Sequence, residues 1–386
     1  MSDRESDRRV PSAVGDDGVG VLSQSDLTVP THQIVDPDGS YDPDAVPDLS
    51  EEDRCDLYRW MVTDRVFSRR MVKIQRRGEL GTFGSTRGQE ASIVGSAFTL
   101  EPEDWLYVGR AWTPMFMRGG SMTDMINFWR GIEAAQEAFA KQNSQIAISI
   151  GSHVPLVAGL AWGMQLDDAD AVATAYIGDG ATSTDAVHEG INLAGALSLP
   201  ALFFCQNNQY AISMNVEDQT GAETLAQKAL AHGIDAIRVD GQDVLAVYDA
   251  VETARERVKD GDPVFVESVT YRLDAHTTSD DPTRYRDDDE VRAWEAKDPI
   301  ERYRSFLESE GLWSRIDHDA VVEDIEAEFD EALAAANEFE ERRAAEMFAH
   351  VYDEAPPELA RQMEAFEKLL ENRPEMADYI DQRPKG

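Results

Sequence analysis

Between Val172 and Ile212 the chain alternates in a way that few folds accommodate. An apolar, β-rich run from Val172 to Ile177 stops abruptly at Gly178-Asp179-Gly180, a helical pattern follows, and a second apolar run, Ala201 to Cys205, stops at Asn207-Asn208. Strand, helix and strand in this order form a βαβ unit whose two strands are parallel and buried on both faces. Both polar clusters then fall at the carboxyl ends of parallel strands, the edge where open α/β sheets bind ligands. One carboxylate and one amide oxygen meeting there, beside glycines that admit close backbone approach, suit a Mg²⁺ that also holds phosphate oxygens.

The alternation extends in both directions. Trp105 to Val108 reads as a short strand ending in Gly109-Arg110, and Ile146 to Ile150 is a short apolar run ending in Gly151-Ser152-His153-Val154-Pro155. Further on, Ala222 to His232 reads as helix, Ile234 to Val239 as strand, Asp243 to Lys259 as helix and Val264 to Tyr271 as strand. The expected fold class is α/β, a doubly wound parallel sheet with a helical C-terminal region. Asp48-Leu49-Ser50-Glu51-Glu52 offers an N-cap with acids in the first turn of a helix that runs to Gly78. Gly81 to Gly88 reads as a turn, Gln89 to Leu100 as a small-residue helix and Met115 to Gly131 as helix. Residues 1–45, rich in Asp, Ser, Gly and Pro, read as a flexible acidic arm, 46–315 as the α/β domain and 316–386 as helices for packing and assembly.

The formal net charge is −39, from 36 Lys and Arg against 75 Asp and Glu. Such acidity excludes nucleic acid and anionic membranes as expected partners, because phosphate-rich surfaces need the opposite sign. The acids are scattered along the chain and Lys is scarce beside Arg, a surface expected of a halophilic source. Two cysteines, Cys55 and Cys205, give no disulfide framework. No stretch approaches the ~20 apolar residues of a membrane span and the polar N-terminus is no signal peptide, so the expected location is cytoplasmic.

Three further residues carry candidate chemistry. Arg110 at a strand end is either a surface ion-pair residue or a diphosphate clamp, since its guanidinium fork matches phosphate oxygens. His153 reads first as a structural histidine. The polar loop from Leu273 to Asp289 is too long for a mere connection and holds one titratable residue with catalytic potential, His276, beside Thr277, Thr278 and Ser279. There is no GxxxxGK[ST] loop and no GxGxxG, which argues against a generic Mg²⁺-nucleotide protein.

GDG followed by NNxYAIS, with Asp179 and Asn208 29 residues apart, resembles the thiamine diphosphate motif. The wider chain, from about Leu57 to Trp313, resembles the alpha subunit of the decarboxylating component of 2-oxo acid dehydrogenase complexes, pyruvate and branched-chain types alike. GSTRGQEASIVGSA, the pair Arg118-Gly119, GSHVPLVAGLAWG and YRLDAHTTSDDPTRYR carry that resemblance. It implies Mg²⁺ held by the side chains of Asp179 and Asn208 and by the backbone carbonyl of Tyr210. It implies thiamine diphosphate, with its diphosphate at Arg110 and at the backbone of Gly178, Gly180 and Ala181. Ile150 matches the bulky apolar residue that bends the cofactor, and Ile148 joins the cofactor-binding set. His276 matches a cofactor-site histidine that assists at the substrate carboxylate or in acyl transfer, and Thr277 stands where mammalian relatives carry a regulatory phosphoserine.

The resemblance also implies partners: a beta subunit in an α2β2 heterotetramer, which supplies the glutamate that protonates the cofactor, and a lipoyl-bearing acyltransferase. Two departures stand out. The family has Tyr-Arg where this chain has Gly109-Arg110, and Gln206 replaces an arginine common in branched-chain relatives. Each lost contact corresponds to about 1 to 3 kcal/mol. The leading expectation is oxidative decarboxylation of a 2-oxo acid with acyl transfer to lipoamide. The alternatives are an acetoin dehydrogenase alpha subunit, or a non-catalytic partner-binding subunit with a vestigial cofactor site.

Overall fold

A computed structural model describes residues 24–109, 111–132, 134–338, 346–349 and 351–379. Among these residues nine strands run β1 (Thr31–His32), β2 (Trp105–Val108), β3 (Ser144–Ile146), β4 (Ala173–Gly178), β5 (Ala201–Asn207), β6 (Tyr210–Ala211), β7 (Met214–Asn215), β8 (Asp235–Asp240) and β9 (Val264–Val269). Seven form one sheet in the order β1-β8-β9-β5-β4-β2-β3, every pair parallel. β6 and β7 make a separate antiparallel hairpin just beyond β5.

The central strands are apolar on both sides because successive side chains point to opposite faces. Leu202 and Phe204 of β5 join a core with Tyr176 of β4, whereas Ala201, Phe203 and Cys205 join a second core with Ala173, Ala175 and Ile177. The first core is closed by the helices Glu51–Arg76, Glu90–Phe98, Val244–Lys259 and His318–Asn337. The second is closed by His153–Leu166 and Asp185–Leu197. Close approach on that face rests on Gly190, where an added Cβ would stand 2.8 Å from the Val154 and Pro155 backbone.

The ligand edge follows from the strand order. From β2 the chain turns outward to β3, and from β4 it turns the other way to β5, so the sheet has its switch point between β2 and β4. A doubly wound sheet opens a crevice at the carboxyl ends of such a pair.

Several expectations need correction. The stretch 1–45 is not an arm throughout. Thr31–His32 extends the sheet edge beside β8, and Ile34 and Val35 are buried. Asp243 anchors them, its Oδ2 accepting the Ile34 and Val35 N–H groups at 2.7 Å each. Residues 1–23 lie outside the described residues. Likewise, the first C-terminal helix belongs to the main body, since Ile325, Phe329, Ala332 and Ala336 sit in its core. The helix expected over Met115 to Gly131 is two, Thr113–Met117 and Met122–Trp129, parted at Gly119 with φ +86°. The one expected over Ala222 to His232 shortens to Ala226–Leu230. Of the apolar run Ile146 to Ile150, only Ile146 is in a strand.

Among the described residues no helix is long and apolar enough to cross a membrane. Cys55 and Cys205 are both free and buried.

Candidate active site

A cavity of about 560 Å³ opens at the carboxyl ends of β2 to β5. Its lining takes Gly109 after β2, Ile148 and Ile150 after β3, and Gly178, Asp179, Gly180 and Ala181 at the end of β4 and beyond. Asn208 and Tyr210 after β5 join them, and His276 comes in from the loop that follows β9. The structure thus gathers in one space every candidate site residue named from the sequence except Arg110, which lies outside the described residues.

Asp179 begins a 3₁₀ turn, Asp179–Ser183, that leads into the Asp185–Leu197 helix. Lys228 steadies this turn, donating from Nζ to the Thr182 carbonyl (3.1 Å) and hydroxyl (2.9 Å). The Asp179 carboxylate is buried, and that burial pushes its pKa up. Gln219, backbone N–H groups of Asp179 and Asn208, and the Arg272 charge act in the opposite direction. The Gln219 contact is a 2.6 Å hydrogen bond from Nε2 to Asp179 Oδ2.

The two asparagines divide their work. Asn207 donates from Nδ2 to the buried Glu267 carboxylate at 2.7 Å and so belongs to the interior. Asn208 donates from Nδ2 to Gln89 Oε1 at 3.1 Å, which fixes its amide plane, and its Oδ1 accepts the Tyr210 N–H at 3.3 Å. The Tyr210 side chain turns away: its hydroxyl donates to Glu290 Oε2 at 2.8 Å and its ring packs with Tyr271 and Leu273.

The following hairpin is strained. Ile212 has φ +58°, a left-handed conformation costly for a β-branched residue. Buried Arg272 holds its carbonyl at 2.7 Å.

His276 sits half-buried in its loop, its backbone N–H donating to Asp280 Oδ2 at 2.7 Å. The same oxygen accepts the Tyr285 hydroxyl at 2.5 Å, so one carboxylate organises the loop. His153 also lines the cavity, but its Nε2–H donates to the Tyr176 carbonyl at 2.9 Å and burial lowers its pKa. That is the structural histidine the sequence suggested.

The residues present fit a metal-diphosphate group. A hard cation takes oxygen donors, and one carboxylate, one oriented amide and one backbone segment converge here. A Cβ added at Gly178 would meet nothing within 4 Å, so this backbone faces open space. Gly180 is held close instead, with Ala211 Cβ 2.7 Å from an added Cβ. The amide nitrogens of cavity-lining Gln89 and Gln206 are buried without a hydrogen-bond partner among the described residues. No group of three or more His, Cys, Asp or Glu side chains gathers anywhere among the described residues, so a cation here relies on amide and backbone oxygens beside Asp179.

Sequence reasoning missed Gln219 and the part Gln89 plays in orienting Asn208. Neither is in a strand-end cluster, and no spacing rule links them to Asp179 or Asn208. Gln89 did fall within one of the stretches carrying the family resemblance.

The family described as Dehydrogenase E1 component matches residues 58–345. A curated protein of Staphylococcus epidermidis, named pyruvate dehydrogenase E1 component subunit alpha, is 40% identical over 357 residues, covering 91% of this chain and 96% of its own. The Staphylococcus aureus protein of the same name is 39% identical over the same shares. With a family match across most of its length and relatives this similar, the chain belongs to the dehydrogenase E1 component family.

Proposed function

We propose that this chain is the alpha subunit of a 2-oxo acid dehydrogenase, acting with thiamine diphosphate and Mg²⁺ on pyruvate or a branched-chain 2-oxo acid. The observation that carries the reading is the convergence of Asp179, Asn208 and Tyr210 in one strand-end cavity, in a chain 40% identical to a protein named pyruvate dehydrogenase E1 alpha.

In this reading Asp179 and Asn208 hold Mg²⁺ through their side-chain oxygens and Tyr210 through its carbonyl. Placing a cation there offsets the cost of burying Asp179 as an anion. Gly178, Gly180 and Ala181 present backbone to the diphosphate at the start of the turn. Arg110 adds the positive charge. Ile148 and Ile150, apolar yet 63% and 65% exposed, form a wall that supports the cofactor ring. Bound thiamine diphosphate supplies the electron sink that decarboxylation needs; the protein orients it and excludes water. His276, which lines the cavity, assists with the substrate carboxylate or the acyl transfer.

Asp179 is the only carboxylate among the described cavity-lining residues, and the metal claims it. The family resemblance then assigns the glutamate that protonates the cofactor to a beta subunit, in an α2β2 assembly that passes its acyl group to a lipoyl-bearing acyltransferase.

The test uses this chain alone and co-expressed with its beta subunit. CO₂ release from pyruvate and from 2-oxoisovalerate is expected only from the complex with Mg²⁺ and thiamine diphosphate. Activity of the isolated chain, or of the complex on acetoin alone, overturns the reading. Absence of cofactor binding by the complex would favour a vestigial site.

A further inference from the structure

Gln219 bonds the candidate metal carboxylate, yet neither the motif nor the family resemblance assigned it a role. It ends the short helical turn Val216–Gln219, directly after the β6–β7 hairpin. Its amide nitrogen is shared between two acceptors, Asp179 Oδ2 at 2.6 Å and the Met214 carbonyl at 3.0 Å. Met214 pairs with Ala211 across the hairpin, and Tyr210 pairs with Asn215. One amide therefore ties the carboxylate delivered by β4 to the hairpin that carries the Tyr210 carbonyl. The two contacts also fix the orientation of the amide, because only its nitrogen has two protons to give. The opposite end, Gln219 Oε1, is buried without a hydrogen-bond partner among the described residues. It lies 3.9 Å from the place a Gly180 Cβ would take.

We propose that Gln219 is a positioning residue for metal binding: it commits Asp179 Oδ2 to the protein, leaves Oδ1 for Mg²⁺, and locks the Asp179-to-Tyr210 spacing. The inference rests on the metal reading of the cavity. Backbone N–H groups of Asp179 and Asn208 also reach this carboxylate, but Gln219 is the side chain that holds it, and a small cation that demands near-ideal octahedral geometry tolerates a loosely held ligand poorly. Partners behind the ligands typically matter by about 10- to 100-fold in metal affinity. A leucine at this position keeps much of the volume and removes both donors. Asp179 then remains buried with one hydrogen bond fewer, and the hairpin loses its link to β4.

The experiment measures Mg²⁺-dependent binding of thiamine diphosphate to the α–β complex through tryptophan fluorescence, since Trp112 and Trp129 line the cavity. Gln219→Leu is expected to raise the half-saturating Mg²⁺ concentration by about tenfold or more, with excess Mg²⁺ restoring cofactor binding. In an Asp179→Asn background the same substitution should add little, because the carboxylate it positions is gone. Gln219→Asn keeps the amide but withdraws it by one methylene; it should shift the Mg²⁺ requirement in the same direction, and it stands in if the leucine variant fails to assemble. Wild-type Mg²⁺ dependence in the Gln219 variants, alongside a shifted Asp179→Asn, overturns the positioning role alone. An unshifted Asp179→Asn overturns the metal reading and this inference with it. Equal effects of Gln219→Leu in the two backgrounds would mark a purely structural glutamine and also overturn the proposal.

Discussion

Asp64 is a buried carboxylate that the proposed chemistry does not use. It accepts the Thr86 hydroxyl at 2.6 Å and the Thr113 hydroxyl on its other oxygen. Thr113 follows Trp112 of the cavity wall, and Thr86 lies three residues before Gln89. Burial first, and then the Glu90 charge, push the Asp64 pKa up to about 7, against the two hydroxyl bonds and Arg65. Arg65 gives little relief because it is paired with Glu90 and Asp298. The folded state thus keeps a proton that the unfolded chain releases above its ordinary value of 3.8. The resulting stability is fully present below that value and is lost as pH rises through about 7. Asp64→Asn stays neutral, and a threonine hydroxyl can accept from its amide as well as donate to its oxygen. Its unfolding free energy relative to wild type, measured by urea unfolding, should rise between pH 5 and pH 8 and level off above, a difference on the order of a few kcal/mol. A pH-independent difference would contradict this. His276 carries the other prediction at this scale. His276→Ala should abolish lipoamide acylation in the complex while thiamine diphosphate binding stays near wild type; unchanged overall activity would remove the histidine from the reaction. At this scale the sequence was readable where strand ends meet short polar motifs, as at Asp179 and Asn208. It was silent on Asp64, Gln89 and Gln219, whose partners are set by tertiary packing across 22 to 119 residues of chain.

Secondary-structure elements were legible where their signals are local. Ser50 caps the Glu51–Arg76 helix, accepting the Asp53 N–H at 3.1 Å, with Glu51, Glu52 and Asp53 in the first turn and Lys73 and Arg76 in the last. The runs at 105–108, 173–178 and 201–207 are strands because neighbouring helices bury both faces. β1 could not be read, because its two residues gain strand geometry only from β8, more than 200 residues away, while Asp243 holds Ile34 and Val35 just after it. Arg118, part of the family stretch, also has an element-level role. Its guanidinium donates to the carbonyls of Pro102, Asp104 and Gln142, bracing the entries to β2 and β3. The glycines between helices carry the clearest element-scale prediction. At Gly190 an added Cβ would press on backbone of the His153–Leu166 helix, which cannot yield as a side-chain tip can. Gly190→Ala should separate the two helices and destabilise the chain by roughly 1 to 3 kcal/mol despite the better helix propensity of alanine. Urea unfolding measures it, and a stabilised variant would refute the close approach. The helix it displaces starts at His153, between the cavity wall and the second core, so cofactor affinity should fall with it.

Charge is a property of the whole molecule. With 75 acids against 36 bases, complete pairing of every Lys and Arg would still leave a surplus of 39 negative groups. Many arginines are already engaged, as in Arg54–Glu310, Arg70–Glu326, Arg255–Asp104 and Arg302–Asp240. Salt weakens these attractions and the acid–acid repulsions alike. The partly buried pairs are screened least, however, and the exposed surplus is screened most. At 0.1 M salt charges interact over about 10 Å, enough for neighbouring surface carboxylates to repel; near 1 M that reach falls to about 3 Å. Net repulsion opposes the compact state, so its removal favours folding. The melting temperature should therefore rise between 0.1 M and 2 M KCl, steeply at first and then more slowly as screening saturates. Choline chloride should reproduce the early rise, because screening depends on ionic strength and not on the identity of the cation. A melting temperature that is flat or falls with KCl would mean that the paired arginines outweigh the surplus acids. A rise with KCl but none with choline would point instead to K⁺ held at particular sites on the acidic surface.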